Sequence, residues 1–485
     1  MPEDQGTLTE NSDRTKSKLS RRSFVGGVAG AALVSPGLSG AASAIDTAQP
    51  DARQANRFDV VVIGGGFAGV TAARDLQRAG YSTILLEARD RLGGRTFTRN
   101  FQGDAIEMGG TWVHNSQPFV WSEMQRYGIG VVETPGAVAQ DFRWLDGDGV
   151  MRPLTLPQFE SLVTAWQTFC ARAREILPRP FDLMHNRSSV LEAEQLTALE
   201  HLQTLPLDKL QNDFVRAMVS LIGDCAEEDV AYIEMLRFHM LAGDYFPTFM
   251  DASARFQIEG GTQHLIQAIA NEGAFAVQLE CSVTSVTTLQ DGIEVRTASG
   301  ELFSGRAAIC TLPLNTLNSI DFVPPKPAAM TEVAALGHPG NGHKIFLKLR
   351  GDVGNLAGFS AHEQMHYLMT YKQHKDYTLV VAFVKRKGNL DVEDNGALQA
   401  ALRRYIPDAE VMGSTRHDWL ADPLARGTWA TFRPGWLAAF GDAMPREMGA
   451  LQFASGDIGE GWRGTIDGAV RAGTLAARQT IEKLG

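Results

Sequence analysis

The sequence predicts an α/β fold, and one stretch carries most of that prediction. Val60-Val61-Val62-Ile63 is a continuous apolar run, the pattern of a parallel strand buried on both faces. Gly64-Gly65-Gly66-Phe67-Ala68-Gly69 follows at once as a G-x-G-x-x-G. An apolar-periodic helix then runs from about Ala68 to Ala79 and stops at Gly80. A second strand, Thr83-Ile84-Leu85-Leu86, ends on Glu87. Strand, glycine turn, helix, strand and acid together make a Rossmann-like dinucleotide-binding unit.

Each part has a physical task. Gly64 allows the tight turn, Gly66 lets backbone approach a pyrophosphate, and Gly69 lets helix and strand pack closely. The phosphates belong on the helix N-terminus, at Phe67 and Ala68, where N–H groups lack intrahelical partners. Glu87 lies at the usual distance, roughly 20 residues on, to accept hydrogen bonds from a ribose.

The chain then continues Glu87-Ala88-Arg89-Asp90-Arg91-Leu92-Gly93-Gly94-Arg95 into a second glycine turn with basic residues. This resembles the flavin amine oxidases, whose second strand ends in E-A-x-x-R-x-G-G-R. The resemblance implies FAD rather than NAD. It puts Glu87 on the adenosine ribose and Arg95 near the flavin end, with Ala88, Arg89 and Gly94 in the same cofactor-binding stretch. It implies an FAD-binding Rossmann-like domain of the GR2 type, interleaved with an α+β substrate-binding domain. The expected division is a signal peptide over 1–44 and a linker over 45–56, then FAD-binding segments over 57–135, 250–324 and 422–485. Substrate-domain segments fill 136–249 and 325–421.

The N-terminus reads as a targeting segment. Ser20-Arg21-Arg22-Ser23-Phe24-Val25 is a twin-arginine pattern, followed by a Gly/Ala-rich apolar run and an A-x-A at Ala42-Ser43-Ala44. Export by that route carries folded proteins and implies a periplasmic enzyme loaded with FAD before export. The apolar run is too interrupted by glycine to span a bilayer, and no other stretch is long enough. The formal net charge of −11 argues against nucleic acid as a partner. The first 44 residues carry five basic and four acidic side chains, so the remainder is about one unit more acidic. Cys170, Cys225, Cys281 and Cys310 are scattered with no C-x-x-C. They are expected to be buried free thiols, the alternative being a disulfide between two of them.

Further along, Gly109-Gly110-Thr111-Trp112-Val113 resembles the family's G-G-x-[WY]-V loop along the flavin. From about Gly136 to Phe249 the pattern is helical, as at Phe159, Leu162, Val163, Trp166 and Phe169 and again at Met235, Leu236, His239 and Met240. Arg255 to Thr262 resembles the glycine turn before a family helix, here Gln263 to Asn271. A strand over Gln278–Val283 follows, and by resemblance Val283 brackets the adenine. Further strands are expected at Thr284–Leu289, Gly292–Thr297 and Ala307–Leu312. In His343–Leu349 the pattern alternates strictly, with Lys344, Phe346 and Lys348 on one face. Thr378–Val384 is another buried strand. Trp419 precedes the loop to Gly427-Thr428-Trp429. Gly456 and Asp457 belong to the last cofactor motif, although the chain has Ala454-Ser455-Gly456-Asp457 where the family has A-G-x-E. Asp457 is expected to accept a ribityl hydroxyl, and Asp467 to cap the final helix. That helix, opening near Thr465 and Ile466, points its N-terminus at the flavin in this family.

Amine oxidation moves a hydride from the carbon next to nitrogen onto the flavin. The protein must orient one C–H bond, keep the amine neutral and exclude water, with no nucleophile or metal. The sequence shows no catalytic triad and no metal cluster. Many family members flank the amine with two aromatic rings. The first position is Trp429 here; the second is Thr465, so the site is half a cage. That departure resembles the bacterial nicotine and pseudooxynicotine oxidases. Lys344 matches a family lysine that holds a water before the flavin. The resemblance therefore implies non-covalent FAD and a small alkaloid-type amine. The electron acceptor is oxygen or a periplasmic cytochrome c, and a homodimer is within the expectation. The rival readings are a desaturase of the same superfamily and a non-catalytic flavin-binding module.

Overall fold

The apolar run Val60–Ile63 lies inside a six-stranded sheet. In the computed structural model, which describes residues 56–441 and 446–485, all four of its side chains are buried. The twin-arginine segment and nearly all of the linker lie outside the described residues. Val60–Ile63 pairs in parallel with Thr83–Leu86 on one side and with Ala307–Cys310 on the other. Ala276–Gln278 and Leu451–Phe453 extend the sheet in parallel, and Glu447–Met448 closes it antiparallel. The strand order thus reverses at Val60–Ile63. A crevice for a nucleotide opens at such a switch point, beyond the carboxyl ends of the strands.

Helix Phe67–Arg78 packs against Thr262–Gly273 and against the C-terminal helix Ile466–Leu484. The last contact is close: a Cβ on Gly473 would fall 2.1 Å from the Ala68 carbonyl oxygen. Gly473 therefore brings the N-terminal parts of two helices to the same side of the sheet.

A seven-stranded sheet supplies the other wall of the molecule's central cavity. Its order is Val411–Arg416, His343–Arg350, Tyr377–Val384, Met365–Gln373, Leu356–Phe359, Asp141–Leu145, Met151–Pro153. Helices between Leu156 and Ala254 pack beside it, with Lys209–Gly223 against Met365–Gln373. The predicted helices at Phe159–Phe169 and Met235–Met240 lie within Leu156–Phe169 and Tyr232–Leu241.

One expected strand changes. The predicted strand over Gln278–Val283 is broken, because Glu280 adopts a left-handed φ of 54°. Ala276–Gln278 ends before it and Val283–Leu289 begins after it. In between, the Glu280 and Cys281 N–H groups donate to the Arg89 and Glu87 carbonyls, both over 2.8 Å. The Lys344-Phe346-Lys348 face of His343–Arg350 is turned inward. Phe346 is fully buried, and Lys348 is buried with its Nζ donating to the Gln102 carbonyl over 3.1 Å, 3.8 Å from the Tyr377 ring centre. The four cysteines are buried free thiols. Among the described residues no helix is long and apolar enough to cross a membrane.

Candidate active site

The glycine turn forms a cradle that only backbone lines. A Cβ on Gly66 would meet nothing within 4 Å, so this backbone faces open space in the central cavity. Gly64 turns at φ +102°, and a Cβ on Gly69 would lie 1.9 Å from the Gly64 oxygen, so neither position admits a side chain. Helix Phe67–Arg78 begins with no side-chain cap, and Phe67 and Ala68 line the cavity. Free N–H groups at an uncapped helix start beside a bare glycine suit a pyrophosphate.

Glu87 lines the same cavity and holds the turn in shape. One carboxylate oxygen accepts from the Gly65 N–H over 2.5 Å, the other from the Arg89 N–H over 2.7 Å. Burial raises its pKa, and those two N–H groups and the arginines nearby oppose the rise. Each oxygen keeps a second lone pair for a ribose hydroxyl. Ala88, Arg89, Gly94 and Val283 line the cavity too. Arg89 is clamped by Asp422 at 3.0 and 3.1 Å. Gly94, with φ +58°, packs on Gly66.

Arg95 joins three parts of the chain. It donates to the Thr428 carbonyl over 2.6 Å and pairs with Asp457. The expected contact of Asp457 with a ribityl hydroxyl is not what the structure shows. Asp457 is fully buried and absent from the cavity lining, and its oxygens take Arg95 and the Leu314 N–H, the latter over 2.8 Å. Burial alone would raise its pKa, but Arg95, His338 and the Leu314 N–H together hold it below the usual value. The aspartate is one methylene shorter than glutamate, and it fixes Arg95 rather than reaching the cavity. Gly456 beside it does line the cavity.

Gly109, Gly110, Thr111 and Trp112 form one wall. A Cβ on Gly109 would lie 1.9 Å from the Arg95 oxygen, so the loop lies flat against the second glycine turn. The Trp419 indole donates to the Met108 carbonyl over 3.0 Å, and the Trp112 indole to the Thr134 hydroxyl over 3.0 Å. Lys344 reaches this loop from the facing sheet. Its Nζ donates to the Gly109 carbonyl over 2.8 Å and to the Thr111 hydroxyl, 4.9 Å from the Trp112 ring centre. It is half-buried and lines the cavity. Desolvation lowers its pKa, with Glu107 and Asp224 pulling the other way.

The two cage positions lie side by side. A Cβ on Gly464, φ +84°, would lie 2.6 Å from the Ala430 oxygen. This close approach seats Thr465 next to the Trp429 segment, and both line the cavity with Ile466. The Trp429 indole is fixed by donation to the Ile222 carbonyl over 2.7 Å. Thr465 donates to the Trp462 carbonyl over 2.7 Å and accepts from the Gly468 N–H over 3.3 Å. Thr465, not Asp467, is thus the N-cap of Ile466–Leu484. Asp467 sits inside the first turn and accepts instead from the Phe119 and Val120 N–H groups, over 2.6 and 2.9 Å. It caps the start of a different helix, Pro118–Arg126. Behind Thr465, Glu234 pairs with Arg463 and Arg237, all three buried, and Arg237 donates to the Gly461 carbonyl over 2.7 Å. That network fixes the Gly461–Thr465 loop.

The cavity measures about 370 Å³, within the range of small-molecule sites. Beyond the cage its lining is apolar, from Leu221, Ile222, Phe238, Phe249 and Phe383. Sequence reading missed these, and it missed Asp224, Tyr367 and Trp462 in the same lining. They come from helices and strands far apart in the chain and carry no local motif. The backbone cradle, the ribose acid and the uncapped helix fit a flavin dinucleotide, and the apolar end fits a small organic molecule.

The comparisons with known proteins agree with this geometry. Residues 67–481 match the family model described as flavin containing amine oxidoreductase. The chain is 36% identical to a pseudooxynicotine dehydrogenase of Pseudomonas sp, covering 98% of both chains. It is 34% identical to a nicotine dehydrogenase of Pseudomonas putida, covering 98% of this chain and 100% of that one. The fold is similar to that of a putrescine oxidase solved with putrescine bound, with a TM-score of 0.77 at 22% identity, covering 88% of this chain and 99% of that one.

Proposed function

Because this chain belongs to the flavin containing amine oxidoreductase family, we propose that it oxidises a small alkaloid-type amine of the nicotine or pseudooxynicotine kind, using FAD held without a covalent bond. The observation that carries the reading is the half cage: Trp429 fixed on one side, Thr465 where a second ring would stand, and Lys344 on the facing wall. The relatives named for nicotine and pseudooxynicotine support that substrate class.

When bound, the flavin supplies the hydride acceptor. The chain's own residues do the rest. Gly64, Gly66 and the start of Phe67–Arg78 hold the pyrophosphate, Glu87 the ribose. The N-terminus of Ile466–Leu484 presents positive dipole to the cavity, which favours electron density arriving there. Trp429 gives the amine a face to lie against, and the apolar lining excludes water and disfavours ammonium. Lys344 offers a positioned donor beside the reacting end.

The proposed electron acceptor is oxygen or a periplasmic cytochrome c, and the name dehydrogenase on two relatives favours an acceptor other than oxygen. The twin-arginine pattern at Ser20–Val25 supports a periplasmic location. A homodimer is the proposed assembly, checked by sedimentation. The deciding experiment is anaerobic bleaching of the flavin absorbance against an amine panel that includes nicotine and pseudooxynicotine. Rapid bleaching by either supports the reading. Bleaching by none, or only by substrates that form a C=C bond away from nitrogen, overturns it.

A further inference from the structure

We propose that Asp224 is the anionic site that receives the substrate's ammonium group and takes its proton, leaving the neutral amine in front of Trp429. The proposal rests on the amine reading above.

Asp224 lines the cavity, although only 4% of its surface is exposed. It follows helix Lys209–Gly223 as its C-cap, in a left-handed conformation with φ 50° and ψ 37°. Few non-glycine residues adopt it, and aspartate is among the most tolerant of it. This turn sets the carboxyl against Gly342 and beside Thr428, the residue before Trp429. A Cβ on Gly342 would lie 2.2 Å from an Asp224 carboxylate oxygen, so a bare backbone is needed there. The Gly340 carbonyl accepts from the Thr428 N–H over 3.1 Å, and the Ile222 carbonyl, two residues before Asp224, accepts the Trp429 indole. The carboxyl and the aromatic wall are therefore held by the same short segments.

The surroundings set the chemistry. Facing the carboxyl are the Thr428 hydroxyl, the Gly342 N–H and, as the charged group, Lys344. Arg95 lies behind Thr428, on its carbonyl. The neighbouring Cys225 is a buried thiol. Burial disfavours the carboxylate and lifts its pKa to about 7, while Thr428, Gly342 and Lys344 oppose the lift. The negative end of helix Lys209–Gly223 pushes the same way as burial. An alkyl ammonium in the same apolar space is lowered by desolvation. The two groups thus approach each other in proton affinity, as an efficient acid–base pair should. The step balances: an N–H bond breaks, its electron pair stays on nitrogen, and the proton forms an O–H bond on Asp224. No oxidant is consumed. Lys344 stands nearby with two of its three donors on Gly109 and Thr111, which leaves it one donor for the cavity.

The test uses flavin-loaded Asp224→Asn and Asp224→Glu with two probes. Tetramethylammonium cannot be oxidised or give up a proton, so its binding reads the charge on the site alone. Wild type should bind it about tenfold more tightly near pH 8 than near pH 6, as a group titrating near 7 ionises. Asp224→Asn should bind it weakly and equally at both; Asp224→Glu should keep the dependence. With an oxidisable amine, anaerobic flavin reduction in Asp224→Asn should fall about 10–100-fold near pH 7 and recover near pH 10, where the amine is neutral unaided. Equal tetramethylammonium binding in wild type and Asp224→Asn overturns the proposal, as does a parallel pH profile. Those results leave amine oxidation standing. Conversely, Asp224-dependent cation binding in an enzyme that no amine reduces supports the site and rejects the oxidase reading.

Discussion

The Lys344 Nζ donates to the Gly109 carbonyl over 2.8 Å, tying the seven-stranded sheet to the loop that follows the second glycine turn. It crosses the cavity rather than pointing to water. Lys344→Met should therefore slow both flavin reduction and reoxidation, on the order of 10–1000-fold, the range for one preorganised polar contact. Flavin should stay bound, because the cradle at Gly64–Ala68 and Glu87 is untouched. Stopped-flow traces of the two half-reactions decide it. Near-wild-type rates would reduce Lys344 to a structural tie.

Asp467 gives a pH prediction. Its carboxylate caps Pro118–Arg126 through one oxygen, while the other has no partner in the protein. Burial raises its pKa to about 6, against the pull of the Val120 and Phe119 N–H groups. A raised pKa means that the fold prefers the protonated form. Its stabilising contribution is full below the ordinary carboxyl value near 4 and is lost as pH rises through about 6. Asp467→Asn keeps an oxygen for both N–H groups and cannot ionise. Its stability relative to wild type should improve on the order of 1–3 kcal/mol between about pH 4 and pH 8. Parallel denaturation midpoints across that range would contradict this.

These two residues also show what the sequence made legible. Local motifs read correctly where backbone geometry dictates residue type. Gly64 and Gly69 admit no side chain for steric reasons, Gly66 presents bare backbone to the cavity, and Val60–Ile63 is buried on both faces, so each leaves a mark along the chain. Asp467 was misassigned because an acid near a helix start looks like its cap, whereas its partner is a helix some 350 residues away in the chain, at Phe119. Asp457 misled in the same way, since its partner Arg95 lies in another segment. Asp224, Tyr367 and Trp462 were invisible. A cavity wall assembled from three separate elements imposes no periodicity on any of them.

The flavin should be released intact by acid. The residue before Trp429 is Thr428, whose hydroxyl is no partner for a flavin thioether. Cys281 lines the cavity beside Val283, the residue expected to bracket the adenine, and Cys170, Cys225 and Cys310 are buried outside the lining. Burial raises the pKa of all four thiols, which suppresses the reactive thiolate. Acid precipitation should leave a colourless pellet and a yellow supernatant. Colour that stays with the protein would refute non-covalent binding.

The half cage makes the sharpest prediction. Trp429 is held by the Ile222 carbonyl, so it offers the amine a rigid face. Thr465 stands beside it with its hydroxyl turned to the Trp462 carbonyl, so toward the cavity it leaves the volume a ring would fill. That volume admits bulk at or near nitrogen, such as a ring or an N-methyl group. Thr465→Tyr should penalise bulky amines and spare slender primary ones, because overpacking acts only where the substrate needs the space. The same change removes the N-cap of Ile466–Leu484, costing about 0.5–2 kcal/mol of stability. Thr465→Val separates the effects, since it loses the cap without adding a ring; it should lower stability and keep wild-type selectivity. Trp429→Ala should instead hurt all amines, by about 1–3 kcal/mol in transition-state terms. The measurement is kcat/KM for one bulky and one slender amine across the three variants. A Thr465→Tyr enzyme that slows both amines equally would show that Thr465 does not border the bound nitrogen, and the argument for an alkaloid-type substrate would lose its physical basis.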